Sequence, residues 1–266
     1  MNTLLVDEAA AREFCRTFLL PYPACPRLLQ CVARKKYAKG DDDVQWHGPG
    51  LIILERNILY FDQGQVSEDD FIRQLRKIEV IADAGLYTNP RQPEQVLSLD
   101  WVVVYITAYP LDEDEAADAF VFKVLATRQD QRRAHAKDKH HDGMTHIVSK
   151  VQTLLHQHPC KKWRWLKLDV DTKDPALIAQ LQNVLQGASI VMAAETRGGY
   201  HVVLEKGPHC QELYALERRV NEEVRNEEQW ITIENNRGPM LAIPGTNQGG
   251  FAVKSATEIW RLGVQS

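Results

Sequence analysis

The sequence predicts an α+β fold, a mixed or antiparallel sheet with flanking helices, and three observations carry that prediction. In the C-terminal half, short apolar strands alternate with helices: Trp165 to Val170 reads as a strand, Pro175 to Leu185 as a helix and Gln211 to Arg225 as a longer one. The strands Ser189 to Ala194 and Tyr200 to Glu205 are joined by a glycine turn, a spacing long enough for a hairpin but too short for a parallel crossover. Further upstream, Trp101-Val102-Val103-Val104-Tyr105-Ile106 has the β-branched and aromatic density of a buried strand.

Taken in order, Val6 to Leu20 reads as an amphipathic helix stopped by Pro21, Pro23 and Pro26. Lys39 to Gly50 is polar and holds Asp41, Asp42 and Asp43 in a row, a pattern that fits a solvated loop better than a metal site. Leu51 to Leu54 and Ile58 to Phe61, separated by Glu55, Arg56 and Asn57, suggest a hairpin. Ser67, with Asp70 three residues on, caps the next helix. Pro110 ends the central strand, and the acidic stretch Asp112 to Asp118 opens a helix with apolar positions at Phe120, Val121, Val124 and Leu125. Arg128 to His146 is rich in Arg, Lys and His and reads first as a solvated or mobile loop, second as a nucleic-acid contact and third as a histidine metal site. Strands near Trp230 to Ile233 and Met240 to Ile243 complete the pattern.

Composition narrows the function classes. With 266 residues and 44% hydrophobic content the chain can bury one substantial core or two small ones. Its formal charge of −4 excludes a uniformly basic nucleic-acid coat, so any polyanion must be held by a local patch or through metal. Cys15, Cys25, Cys31, Cys160 and Cys210 form no CxxC pair and leave one over, which argues for a reducing compartment and against a disulfide framework. Zinc held by Cys25, Cys31, His209 and Cys210 is a weaker reading than scattered buried thiols. Met1 to Leu20 lacks the apolar run of a signal peptide or membrane span, so a soluble intracellular protein without membrane association is expected.

Chemistry concentrates after residue 165. In Leu166-Lys167-Leu168-Asp169-Val170-Asp171 the period-two alternation of a strand puts both aspartates on one face, where their carboxylates can share Mg²⁺ or Mn²⁺. The bland alternative is that Asp171 or Thr172 caps the following helix. Glu195-Thr196-Arg197-Gly198-Gly199-Tyr200-His201 then places an arginine before a glycine turn and a histidine just after it. Glycines permit positive φ and close backbone approach, so such a turn can present its groups to an anion. His201 lies among Val202, Val203 and Leu204, where an imidazole is costly without a partner. Ile231-Thr232-Ile233-Glu234 ends another apolar strand on an acid, which reads by itself as an exposed strand-end glutamate and otherwise as the third carboxylate of a metal site, and Ile243-Pro244-Gly245-Thr246 follows as a turn.

The order of these features, from Leu166 to Lys254, resembles the signature motifs of the archaeo-eukaryotic primases and primase-polymerases; Arg197 to His201 is similar to that family's histidine motif, and Ile243 to Thr246 to the segment after its last acid. The resemblance implies a primase-type catalytic core over residues 96–266, with 1–95 as an N-terminal α/β accessory region. It implies that Asp169, Asp171 and Glu234 bind the catalytic Mg²⁺ or Mn²⁺, and that Arg197, His201 and Lys254 hold the nucleotide. The implied reaction adds nucleotides from nucleoside triphosphates to a 3′-hydroxyl, or starts a primer, on a DNA or RNA template. In such chemistry two ions about 3.5–4 Å apart activate the hydroxyl and stabilise the leaving pyrophosphate. The sequence departs from the pattern twice: Glu234 stands where an aspartate is usual, and the zinc-binding cysteine cluster of several members is absent. Two other readings stay open, a non-catalytic nucleotide or nucleic-acid binding relative and a glycosyltransferase of the Asp-x-Asp type.

Overall fold

Two antiparallel sheets meet face to face in the computed structural model, which describes residues 3–21, 26–38, 51–60, 66–89, 92–135, 165–223, 230–234 and 239–264, with positions 151, 153, 154, 157 and 158. The Asp41 to Asp43 run, Cys25, Cys160 and the end of the basic segment at 136–146 lie outside the described residues.

The first sheet contains β1 (Arg27–Arg34), β2 (Leu51–Leu59), β5 (Val102–Thr107) and β10 (Met240–Ala242), in the order β10-β5-β1-β2. The small hairpin of β3 (Thr88–Asn89) and β4 (Gln92–Val96) stands apart from it. The expected hairpin at 51–61 is instead the single strand β2. Glu55, Arg56 and Asn57 pair with Cys31, Gln30 and Leu29, and an irregularity between Cys31 and Val32 absorbs one residue without reversing the chain. Of those three only Asn57 is a turn-favouring residue, and its pairing with Leu29 holds it in the ladder.

The second sheet contains β6 (Trp165–Val170), β7 (Ile190–Glu195), β8 (Tyr200–Glu205), β9 (Ile231–Glu234) and β13 (Lys254–Ser255), in the order β13-β7-β8-β6-β9. Before β13, β11 (Asn247–Gln248) and β12 (Phe251–Ala252) form a further hairpin. The β7–β8 hairpin runs through the glycine turn as expected.

Helix α1 (Glu8–Phe14), capped by Asp7, passes into a π-helical turn over Cys15–Leu19. Helix α2 (Glu68–Asp83) begins with the predicted capping box: the Ser67 hydroxyl accepts from the Asp70 amide, and the Asp70 carboxylate accepts from the Ser67 amide. Helix α3 (Glu113–His135) packs its first turns through Ala116 against Leu28 and Leu111, while Val121, Phe122 and Leu125 are exposed. The expected apolar face of α3 is therefore only partly covered among the described residues. Helices α4 (Pro175–Val184), α5 (Cys210–Glu223) and α6 (Thr257–Gly263) follow. No helix among the described residues is long and apolar enough to cross a membrane.

Period-two alternation assigns the two faces of β6. Leu166, Leu168 and Val170 join Val202, Leu204, Leu181, Leu213 and Trp260 in a core beneath the helices. On the opposite face, Trp165 joins Phe18, Val203 and Met192 in the core between the sheets. Phe18 stacks on Trp165 at 5.5 Å, and a cavity left at such a site costs about 3–5 kcal/mol on truncation to Ala. Hydrogen bonds of the first sheet cross position 95, because β1 and β2 precede it and β5 and β10 follow.

Candidate active site

Along the inter-sheet face of β6 the side chains change from apolar to charged: Trp165 and Lys167 are buried, Asp169 is partly exposed and Asp171 is at the rim. The alternation that makes a core at one end thus delivers two carboxylates to a cleft at the other. Asp174, not Asp171 or Thr172, caps α4 by accepting from the amides of Ala176 and Leu177. That leaves Asp171 uncommitted to the helix.

His201 stands opposite Asp169 in the β6–β8 register. Its Nδ1 accepts the backbone N–H of Ala242 at 3.0 Å, so a neutral ring carries its proton on Nε2, which faces Asp169 Oδ1 at 3.3 Å. Burial, then the Lys167 charge, pulls the imidazole pKa below its ordinary value, and Asp169 only partly opposes them. The polar partners that a histidine in an apolar strand requires are therefore both present. Tyr105 of β5 stacks on the ring at 6.4 Å between centroids.

Lys167 is the unforeseen member. It shares the face of Asp169 and Asp171, is 2% exposed, and places Nζ 2.7 Å from Glu234 Oε2 and 3.7 Å from Asp169 Oδ2. Burial alone would lower its pKa, but Asp169 and Glu234 outweigh burial and raise it. For Asp169, burial opposes ionisation while Lys167 and then His201 hold the pKa well below the usual carboxylate range. Asp171 goes the other way, raised by partial burial and then by the charge of Asp169. Glu234 is thus placed beside the aspartates but paired with an ammonium, and its backbone oxygen accepts from the Tyr109 hydroxyl at 2.9 Å.

The first sheet supplies the facing wall. Arg34 at the end of β1 donates to the Tyr105 hydroxyl at 3.4 Å, and Lys36 follows in a 3₁₀ turn. The Lys36 pKa is lowered by partial burial and by Arg34, with Asp171 and Asp169 acting against them. Arg197 reaches over the Tyr37 ring at 5.3 Å and donates to the Gly249 carbonyl, and its amide donates to Gln248 Oε1. Gln248 in turn donates to the Tyr105 hydroxyl at 3.2 Å. Gly249 has φ of 59°, and a Cβ there would lie 2.5 Å from the Tyr37 ring. Gly199 is required by close approach and not by positive φ, since a Cβ would meet the Val170 carbonyl oxygen at 1.8 Å.

The fold therefore brings together Asp169, Asp171, His201 and Glu234, with Arg197 on the rim. Lys254 is not among them. It is exposed on β13, paired with Glu195, in the cross-strand row of Tyr200 and Val170 and not that of Asp169. The segment Ile243 to Thr246 also serves another purpose: the Gly245 carbonyl accepts from the amides of Val6 and Asp7, tying down the start of the described chain. Cys31 is buried in the core between the sheets, and His209 Nε2 lies 3.1 Å from the Glu205 carbonyl oxygen.

Comparison with protein-family models, curated proteins and solved structures returned no match. The chemistry of the cleft has to follow from its own residues. Among the described residues, no group of three or more His, Cys, Asp or Glu side chains is arranged to hold a metal ion. Two carboxylates suit Mg²⁺ or Mn²⁺ nonetheless, because Mg²⁺ is commonly held by one or two carboxylates with water and substrate phosphates. Burial and then the charge of Asp169 make Asp171 hard to ionise, and a divalent cation would relieve the second of these. Lys167 occupies one of the two carboxylate oxygens of Glu234, Oε2.

Lys167, Arg34, Lys36, Tyr105 and Gln248 escaped the sequence-based site. Extending the Asp169–Asp171 alternation two residues back would have found Lys167. The others depend on β1, β5 and β11 meeting β6 and β8 across the cleft, a long-range arrangement with no local signal.

Proposed function

We propose that this chain is a metal-dependent nucleotidyltransferase resembling the primase-polymerases, with residues Asp169 and Asp171 as metal ligands and nucleoside triphosphate as substrate. The observation that carries the reading is the gathering of Arg34, Lys36 and Arg197 around the Tyr105 and Tyr37 rings, with Tyr105 stacked on His201 beside Asp169 and with Asp171 two residues on. A triphosphate needs both: carboxylates to hold its metal and fixed positive groups for the remaining oxygens. Mg²⁺ or Mn²⁺ bound at Asp169 and Asp171 would supply Lewis-acid stabilisation of phosphoryl oxygens. Arg34, Lys36 and Arg197 hold the phosphates, with Arg197 oriented by Tyr37 and Gly249. His201, fixed by Ala242, keeps Asp169 ionised and oriented. A DNA or RNA strand supplies the acceptor hydroxyl, and the primase-type core is the fold assignment that goes with this chemistry.

A second reading has its own observation. The Lys167–Glu234 pair removes the third acid, as expected of a relative that binds metal–nucleotide without turnover. Incubating the purified chain with labelled nucleotide, Mg²⁺ or Mn²⁺, and primed or unprimed strands separates the two. Extension product that disappears in an Asp169→Ala, Asp171→Ala variant supports the enzyme. Metal-dependent nucleotide binding with no product supports the binder.

A further inference from the structure

Three acids and one lysine share the cleft face, and the lysine occupies the space between two of the acids. Lys167 Nζ lies 2.7 Å from Glu234 Oε2 and 3.7 Å from Asp169 Oδ2. Its side chain is 2% exposed, against 30% for Asp169 and 37% for Glu234, so the ammonium sits at the floor and the carboxylates close over it. The register fixes this placement, since Lys167 pairs with Glu234 and the next same-face residue of β6 is Asp169. A divalent ion bridging Asp169 and Glu234 would have to enter the space the ammonium holds, and would meet its repulsion at close range. The Asp171 carboxylate, two residues further towards the rim, is exposed and has no hydrogen bond or ion pair among the described residues, its backbone amide alone being engaged, by the Trp230 carbonyl.

We propose that Lys167 is a built-in cation standing where a second divalent ion would sit, so that the cleft takes one divalent ion, on Asp169 and Asp171, and Glu234 positions Lys167 instead of ligating metal. This rests on reading the cleft as a metal–nucleotide site. It separates Lys167 from an ordinary buried ion pair, whose loss would change stability but not the number of metals bound.

The test is a count of Mn²⁺ bound by the full chain, made by equilibrium binding and by electron paramagnetic resonance, which detects spin coupling between neighbouring ions. The wild type is expected to bind one uncoupled Mn²⁺, lost in the Asp169→Ala, Asp171→Ala variant. Lys167→Gln, with Lys167→Met as a second variant in case the first does not fold, is expected to bind a second, spin-coupled Mn²⁺. Adding Glu234→Gln to either should remove that second ion. Two coupled ions in the wild type, or a folded Lys167 variant that still binds one, would overturn the inference while leaving the metal site standing. A wild type that binds no Mn²⁺, or binds it regardless of Asp169 and Asp171, overturns the metal reading and the inference with it. Should neither Lys167 variant fold, the wild-type count still decides between one ion and two.

Discussion

His201 has both ring nitrogens engaged, Nδ1 by the Ala242 amide and Nε2 towards Asp169, and burial keeps it neutral. Its folded pKa lies below the ordinary 6.5, so the unfolded chain takes up a proton before the folded one does. The stability this residue contributes is complete above that value and declines as pH falls through the folded pKa, by at most about 1.4 kcal/mol per pH unit. A His201→Gln variant lacks that slope. Its deficit in melting temperature relative to wild type should therefore shrink between pH 7 and pH 5, and a deficit independent of pH would mean the imidazole is not held neutral. At Gly199 the constraint is steric, with the Val170 carbonyl oxygen 1.8 Å from where a Cβ would stand. Gly199→Ala should cost more than about 2 kcal/mol in urea unfolding, since the neighbour is backbone and cannot rotate away. The turn was legible as a glycine turn, but the reason for the glycine was not, because the oxygen it avoids belongs to another strand.

At the scale of elements, β6 does the most with a simple rule. One alternation places Leu166, Leu168 and Val170 under the helices and Trp165, Lys167, Asp169 and Asp171 towards the cleft. The sequence pattern was sufficient for β6, β7, β8 and the α2 cap, where local periodicity or a local hydrogen bond decides. It failed at β2, where the three polar residues that looked like a turn are held in register by β1. The 3₁₀ turn after β1 carries Lys36 to the cleft. Removing its charge should weaken binding of a metal–triphosphate complex about tenfold, near the 1.4 kcal/mol of one charge-assisted contact. Calorimetry on Lys36→Ala checks this, and unchanged affinity would take β1 out of the site.

The whole molecule is organised by strands that return from far along the chain. β10, near residue 240, completes a sheet begun by β1, and the Gly245 carbonyl binds Val6 and Asp7. Residues before 95 are therefore built into the wall that faces Asp169, although no motif among them suggested it. A chain starting at residue 96 loses β1 and β2 and leaves β5 with β10 as its one remaining neighbour in the sheet. Such a truncation should show no cooperative thermal transition by circular dichroism, whereas a sharp transition would mean the C-terminal part folds alone. Calorimetric binding of a non-hydrolysable nucleoside triphosphate, with and without Mn²⁺, tests whether the cleft between the sheets is the proposed metal–triphosphate site. The prediction is binding that requires Mn²⁺ and is lost in the Asp169→Ala, Asp171→Ala variant; equal binding without metal, or in that variant, would contradict it.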